Sequence, residues 1–213
     1  IEGYGKAPVM SIRKTIEQTN KYTDRLNKAL QSEMKHSALY PAKGKNPLAD
    51  QLKMVARLIN SGLQTSVYHV ELKGFDTHVE QSDASDTAKG YHAGLLQKIS
   101  QSVTAFWDDM VHIGKENAVS GMTFSEFGRR IISNASLGTD HGAAQPLMFF
   151  GKNLNAGIIG SNPQIPEAAT PTDNLAMQFD FKDVYASILK QWMGASNEEV
   201  GSILPENHSE IPL

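Results

Sequence analysis

The chain lacks three things, and each absence excludes a class of protein. It has no cysteine among its 213 residues, so it can form neither a disulfide framework nor a thiolate metal site. It has no run of roughly 20 apolar residues, so we expect no membrane insertion. Its net charge of -3 gives it no basic character, so we expect no nucleic acid as a partner.

Several signatures of function are also missing. The sequence contains no P-loop, no GxGxxG dinucleotide fingerprint, no GxSxG nucleophile motif and no internal repeat. Its first residues, IEGYGKAPVM, have no positively charged stretch followed by an apolar one, so the chain shows no signal peptide. The length is sufficient for one full hydrophobic core, and composition alone does not define the chemistry.

Three regions are predicted along the chain. Residues 1–46 are predicted to form an N-terminal helix and linker, 47–195 an α/β core, and 196–213 a polar C-terminal tail. Apolar residues at helical spacing, together with capping signals, predict four helices. These run from Ser11 to about Leu39, from the Asn46-Pro47 start to Gly62, through Leu95 to Gly114, and from Asp180 to Gly194.

Three stretches rich in β-formers alternate with these helices. They are Thr65–Leu72, Asn117–Phe124 and Pro146–Phe150. Helices alternating with short apolar strands predict an α/β protein with a mainly parallel sheet flanked by helices. In such sheets the ligand site lies beyond the carboxyl ends of the strands, so we expect functional residues in the loops that follow them.

Three motifs follow the predicted strands, and they carry the metal-ligating residues. GFDTH contains Asp76 and His78, whose side chains point to the same side of an extended backbone because one residue separates them. GTDHG contains Asp140 and His141, which are adjacent and need an irregular loop to converge. Two carboxylates with two imidazoles are suited to a divalent metal ion, provided that the two pairs meet in the fold.

The third motif, SEFGRR, adds acidic and basic groups. Glu126 could bind the metal, position a water molecule or orient a histidine. Arg129 and Arg130 supply positive charge that suits phosphate or sulfate, which implies an anionic substrate. The plainer alternatives remain open at this point: Asp-x-His occurs often by chance, Asp and Gly are common in tight turns, and Glu126 could simply pair with Arg129.

The remaining candidates have weaker support. His36, His92 and His112 lie on predicted helices without a ligand partner one turn away, and His69 lies inside a predicted strand. We expect His208, in the polar tail, to be solvated. The hydroxyl groups of Thr77 and Ser125 lie beside candidate ligands but lack the flanking glycines of a nucleophile motif.

The order GFDTH, AFWDDM, MTFSEFGRR, GTDHG and FDFKDVYASILKQW resembles domain of unknown function family 1501, exported proteins classed with the sulfatases and alkaline phosphatases. The resemblance runs from about Pro47 to Met193, and SEFGRR followed by TDHG is its most specific part. It implies an alkaline phosphatase/sulfatase-like α/β core. It also implies a periplasmic or secreted location. Members similar to this chain are about twice as long, so the chain resembles their C-terminal half, incomplete at its N-terminus.

Matched residue by residue, the resemblance implies that Asp76, His78, Asp140 and His141 bind a divalent ion, with zinc, manganese and calcium as candidates. Glu126 and Arg129 belong to the family's own motif. The superfamily's nucleophile and first metal-binding aspartate have no counterpart here.

Two hypotheses about function follow. The first is the metal-binding half of an exported hydrolase of phosphate or sulfate esters. In it, Glu126 is a ligand or general base, Arg129 is an anion clamp, and the substrate is an anionic small molecule or polymer. The second is a noncatalytic metal-binding or surface-assembly protein that keeps the fold. A half-length chain would also expose sheet edges, so self-association is a further expectation.

Overall fold

The computed structural model describes residues 6–205 and 208–213. The chain divides into two compact units: Ile1–Lys73 with Leu96–Gly114, and Gly74–Leu95 with Lys115–Leu213. The first five residues of the predicted N-terminal region and residues 206 and 207 of the predicted tail lie outside the described part. The boundaries between the three predicted regions, after residues 46 and 195, remain predictions. Among the described residues, none of the helices is long and apolar enough to cross a membrane.

Three helices supply the first unit. They are α1 (Lys6–Gln31), α2 (Pro47–Asn60) and α3 (Tyr91–His112), whose first residues, up to Leu95, belong to the second unit. The predicted start of α2 is confirmed: the side chain of Asn46 accepts a hydrogen bond from the backbone N–H of Ala49, and Pro47 opens the helix. Asn46 is itself buried, and its amide group donates to Lys98 O and Ser102 Oγ.

Helix α1 is shorter at its C-terminal end than the predicted limit near Leu39. It ends at Gln31, and the backbone N–H of Ser32 turns back to the carbonyl of Ala29 at 3.1 Å. The segment after it is held by Asp109 of α3. The buried Asp109 carboxylate binds His36 Nδ1 at 2.8 Å and accepts the backbone N–H of Ser37 at 2.6 Å. This tertiary contact, which the helical periodicity does not encode, fixes the end of the segment.

The predicted strand over Thr65–Leu72 is wrong, because these residues form no sheet ladder among the described residues. A glutamine side chain takes the place of a neighbouring strand. Gln51 of α2 donates to the carbonyl of Glu71 at 2.8 Å and accepts the backbone N–H of the same residue at 3.0 Å. The segment keeps an irregular course because a side-chain amide satisfies these two backbone groups.

The second unit contains four short strands: β1 (Ser120–Met122), β2 (Gly128–Arg129), β3 (His141–Gly142) and β4 (Phe149–Gly151). β1 lies inside the predicted strand 117–124, and β4 overlaps the predicted strand 146–150. They form two antiparallel pairs, β1 with β4 and β2 with β3. The predicted parallel sheet is not among the described elements, and the α/β sulfatase-like core stays a prediction.

Helices α4 (Phe181–Gln191) and α5 (Asn197–Ile203) complete the second unit. Asp180 caps α4 as predicted, through a hydrogen bond from the backbone N–H of Lys182. The last residues pack against α4, where Ile211 and Leu213 are buried in a cluster with Val184. The prediction that His208 is solvated is wrong.

The side chain of His208 is 6% exposed, and its Nδ1 contacts Asp183 Oδ1 at 3.2 Å. The apolar residues at 211 and 213 explain this burial, because they bring the neighbouring polar residues down onto α4.

Replacing Asp109 with alanine should destabilise the protein by about 3 kcal/mol, because it removes one partner of a buried pair and leaves His36 and the Ser37 N–H without their acceptor. Urea denaturation at neutral pH measures the change. The exposed pair Glu17–Lys21 is the control, and Glu17→Ala should cost less than about 0.5 kcal/mol. Equal effects of the two substitutions would contradict the role of the buried pair.

Candidate metal centre

Three side chains of the types that bind metal ions meet on the second unit. Asp76 and His78 come from the loop before α3, and His141 comes from β3. Oδ1 of Asp76 lies 2.9 Å from Nδ1 of His78 and 2.8 Å from Nε2 of His141. One ligand atom from each residue lies within 4.8 Å of the others. Residues 65 positions apart in the chain thus form one cluster.

The cluster is open to solvent. The side chains of Asp76, His78 and His141 are 62%, 46% and 44% exposed. Two imidazole nitrogens and one carboxylate oxygen suit a divalent transition metal ion. Three protein ligands leave coordination positions for other groups, which is typical of catalytic metal sites, whereas structural zinc sites are usually closed by four protein ligands.

Backbone and side-chain hydrogen bonds join the two ligand loops. The N–H of Thr139 donates to the carbonyl of Thr77 at 3.3 Å. Gln81 Oε1 accepts both threonine hydroxyls, at 2.9 Å from Thr77 and 2.7 Å from Thr139. Asn134 donates to the carbonyl of His78 at 2.8 Å. These contacts lie directly beside the candidate ligands and hold the two loops that carry Asp76 and His141 together.

Gly138 permits this close approach. A Cβ atom built on Gly138 would lie 2.2 Å from the backbone C and O of His78. Backbone atoms cannot rotate away as a flexible side chain does, so any larger residue would push the loops apart. The first glycine of the GTDHG motif therefore allows the two loops to come into contact.

Arg129 of β2 connects the same two loops from another element. Its guanidinium group donates to the carbonyls of Phe75 and Thr139, and to Thr77 Oγ1 at 3.3 Å. The side chain is 20% exposed, and Nη2 lies 3.9 Å from Asp76 Oδ1. Burial lowers the pKa of Arg129, while the charges of Asp76 and Asp140 oppose that shift. These contacts support a positioning role for Arg129 more than the predicted role of anion clamp.

The charge state of Asp76 suits a ligand. The hydrogen bond from His141 is the largest influence and lowers the pKa of Asp76. Desolvation opposes this shift, and the charges of His78, His141 and Arg129 lower the pKa further. The carboxyl group therefore stays ionised below the usual pKa range of aspartate, and it is an anion throughout the pH range in which a metal could bind.

Two residues predicted for the site lie outside the triad. Asp140 is exposed, its carbonyl accepts the N–H of Arg130 at 3.0 Å, and its carboxylate lies 3.4 Å from the Asn134 amide. Glu126 is exposed and makes no hydrogen bond or ion pair with a described residue. Their predicted roles as ligand and general base stay predictions. Arg130 donates to the carbonyls of His141 and Pro171, at 3.3 Å and 2.9 Å.

Three residues that shape the site are not predicted by the sequence: Gln81, Asn134 and Phe127. Gln81 and Asn134 hold backbone and hydroxyl groups of the ligand loops, and nothing in their local sequence signals this. Phe127 lies inside the SEFGRR motif, which is the one available signal. Its ring stacks on the ring of His141, with centroids 3.7 Å apart and planes 9° apart.

A protein-family model described as "Protein of unknown function (DUF1501)" matches residues 2–202 of the chain. No curated protein and no solved structure matches the chain significantly. The matched range contains the whole triad. The description of the family names no activity.

Replacing Gly138 with alanine should destabilise the protein by about 2 kcal/mol, because the new methyl group overlaps the backbone of His78. Gly201 of α5 is the matched control, since a Cβ atom there meets nothing within 4 Å. Gly201→Ala should be neutral or stabilise the helix by up to about 1 kcal/mol. Urea denaturation of both variants measures the difference, and a neutral Gly138→Ala would contradict the required close approach.

His92 should make the protein less stable in mild acid. Burial lowers the pKa of His92, and the positive charge of Arg129 lowers it further. Below about pH 6.5 the unfolded chain takes up a proton that folded His92 does not, so stability should fall from there down to the lowered pKa. His92→Gln should flatten this fall when unfolding free energies at pH 7 and pH 5 are compared. An unchanged difference between the two pH values would refute the assignment to His92.

Proposed function

The chain belongs to the DUF1501 family of proteins of unknown function, and we propose that Asp76, His78 and His141 bind a divalent metal ion in it. The observation that carries this proposal is the convergence of three ligand atoms within 4.8 Å. The imidazole nitrogens that contact Asp76 are the ones proposed to bind the ion: Nδ1 of His78 and Nε2 of His141.

The donor set favours some metals over others. Two imidazoles with one carboxylate suit zinc, manganese or iron, whereas calcium takes oxygen ligands almost exclusively. Calcium, which the sequence leaves among the candidates, is therefore the least favoured of these metals.

We propose that the metal site serves the hydrolysis of phosphate or sulfate esters. A divalent ion in an open site would polarise an ester oxygen and make water easier to deprotonate. The exposure of all three ligands supports this proposal, because an ester group could reach them from solvent. The resemblance of the GFDTH and TDHG motifs to metal-binding motifs of sulfatase-like proteins is the second support. The proposed exported location rests on the family resemblance alone.

Within this proposal, different residues of the site have different roles. Asp76, His78 and His141 hold the ion, and Arg129 and Gln81 hold the loops that carry them. Glu126, whose carboxylate is exposed, is the proposed base. Asp140 stays a proposed fourth ligand next to His141.

A noncatalytic metal-binding or surface-assembly role is the second candidate, and one observation favours it. The three hydroxyl groups that lie beside candidate site residues in the sequence are already engaged. Thr77 and Thr139 both donate to Gln81 Oε1, at 2.9 Å and 2.7 Å, and Ser125 Oγ donates to the carbonyl of Phe127 at 3.1 Å. None of the three is activated by a base in these contacts, so none is an evident nucleophile.

Calorimetric titration of chelator-treated protein with zinc, manganese and calcium chlorides tests the metal site. We expect one ion per chain, with zinc or manganese bound more tightly than calcium. Asp76→Ala and His141→Ala should each weaken binding at least tenfold, because each removes a ligand. Asp83→Ala is the control: this exposed carboxylate of the same unit lies outside the triad and should leave affinity unchanged. Wild-type protein that binds none of the three ions would refute the site.

Two further measurements separate the finer proposals. Asp140→Ala should match Asp76→Ala in its effect only if Asp140 is also a ligand. Metal-loaded protein is then assayed with aryl phosphate and aryl sulfate esters. Turnover that is lost in Asp76→Ala and reduced in Glu126→Gln supports the hydrolase, whereas metal binding without turnover of either ester supports the noncatalytic role.

A further inference from the structure

Phe127 lies on the same face of the β2–β3 pair as the ligand His141. In this antiparallel pair Arg129 is opposite His141, and Gly128 is opposite Gly142. Side chains alternate between faces along a strand, so Phe127 and Arg129 share the face of His141. Phe127 is the diagonal neighbour of His141, a position from which an aromatic side chain can reach across.

The contact between the two rings is a stack. Their centroids are 3.7 Å apart and their planes differ by 9°. A histidine nitrogen binds a metal in the plane of its ring, whereas Phe127 covers a face of the ring. The stack therefore restrains the direction of the nitrogen lone pairs without occupying a nitrogen. Phe127 is itself half-buried, and its ring centroid lies 5.0 Å from the guanidinium carbon of Arg129. This cation–π contact helps to hold the ring in place.

Among the described residues, no hydrogen bond to the second ring nitrogen of His141 fixes the orientation of its ring. A metal-binding histidine usually donates its other ring nitrogen to a carboxylate or carbonyl group, which fixes the ring. Nε2 of His141 contacts Asp76, and Nδ1 makes no hydrogen bond with any residue that the structure describes. If an ion bound Asp76 and His141 together, it would replace the contact between these two side chains. The stack with Phe127 would then remain to restrain the plane of the ring.

We propose that Phe127 is a positioning residue of the metal centre, which orients His141 by stacking in place of the usual hydrogen bond. This inference rests on the proposed metal site. It assigns a physical role to the aromatic residue of SEFGRR. It also predicts that the shape of the side chain matters more than its apolar character, because a flat ring stacks and a branched aliphatic side chain does not.

Substitutions at position 127 test the inference in the full chain. Phe127→Leu should weaken zinc binding about tenfold, within the range seen for lost orienting partners of metal ligands. Phe127→Tyr, which keeps a flat ring, should stay within about threefold of wild type. The visible absorption spectrum of cobalt-loaded protein should change in Phe127→Leu and not in Phe127→Tyr, since it reports the geometry around the ion.

Phe149→Leu is the matched control. Phe149 is also a half-buried aromatic residue of the second unit, and its ring packs edge-on against Trp192 with centroids 5.8 Å apart. This variant should lose stability yet keep wild-type zinc affinity and cobalt spectrum. A Phe127→Leu variant that behaves in the same way would show that Phe127 merely stabilises the fold, and would overturn the proposal.

One measurement needs no variant and covers the case in which Phe127→Leu does not fold. The ring current of a stacked phenylalanine shifts the carbon-bound ring protons of His141 upfield in the proton NMR spectrum. We expect this shift to persist in zinc-loaded wild-type protein, and its disappearance on zinc binding would overturn the proposal. Failure of the wild type to bind any metal would instead refute the proposed site, so the two failures are distinguishable.

Discussion

The candidate metal centre depends on one close backbone contact, in which the loop ending at Gly138 and Thr139 lies against the loop that carries Asp76 and His78. The hydrogen bond from Thr139 N–H to Thr77 O joins the loops, and the absence of a side chain at Gly138 lets them meet. A shift of about 1 Å at this contact would separate ligand atoms that a small ion must hold together.

Around this contact, the SEFGRR motif acts mainly through structure. Gly128 allows β2 to approach Ala144, where an added Cβ atom would lie 1.8 Å from the carbonyl oxygen. Arg129 donates to carbonyls of both ligand loops, and Phe127 covers the ring of His141. Three successive residues thus serve backbone packing, loop connection and ring orientation. Glu126, the one acidic residue of the motif, is exposed.

Local signals predicted those parts of the fold whose causes are local. The Asn46-Pro47 start of α2 and the Asp180 cap of α4 are confirmed, because a cap satisfies backbone groups only a few residues away. The strand predicted at Thr65–Leu72 failed for the opposite reason. Its β-forming residues could pair only with a partner strand, and in the structure the side chain of Gln51 bonds the backbone of Glu71 instead.

The sequence by itself determined which ligands are possible: without cysteine, a metal site must use histidine and carboxylate groups, and the Asp-x-His and Asp-His pairs supply them. Only the tertiary structure decided that Asp76, His78 and His141 converge, and that the Asp140 carboxylate lies near Asn134. The physical reason is distance along the chain. Side chains 65 residues apart meet only through loop contacts, such as those of Gln81 and Gly138, that no local pattern specifies.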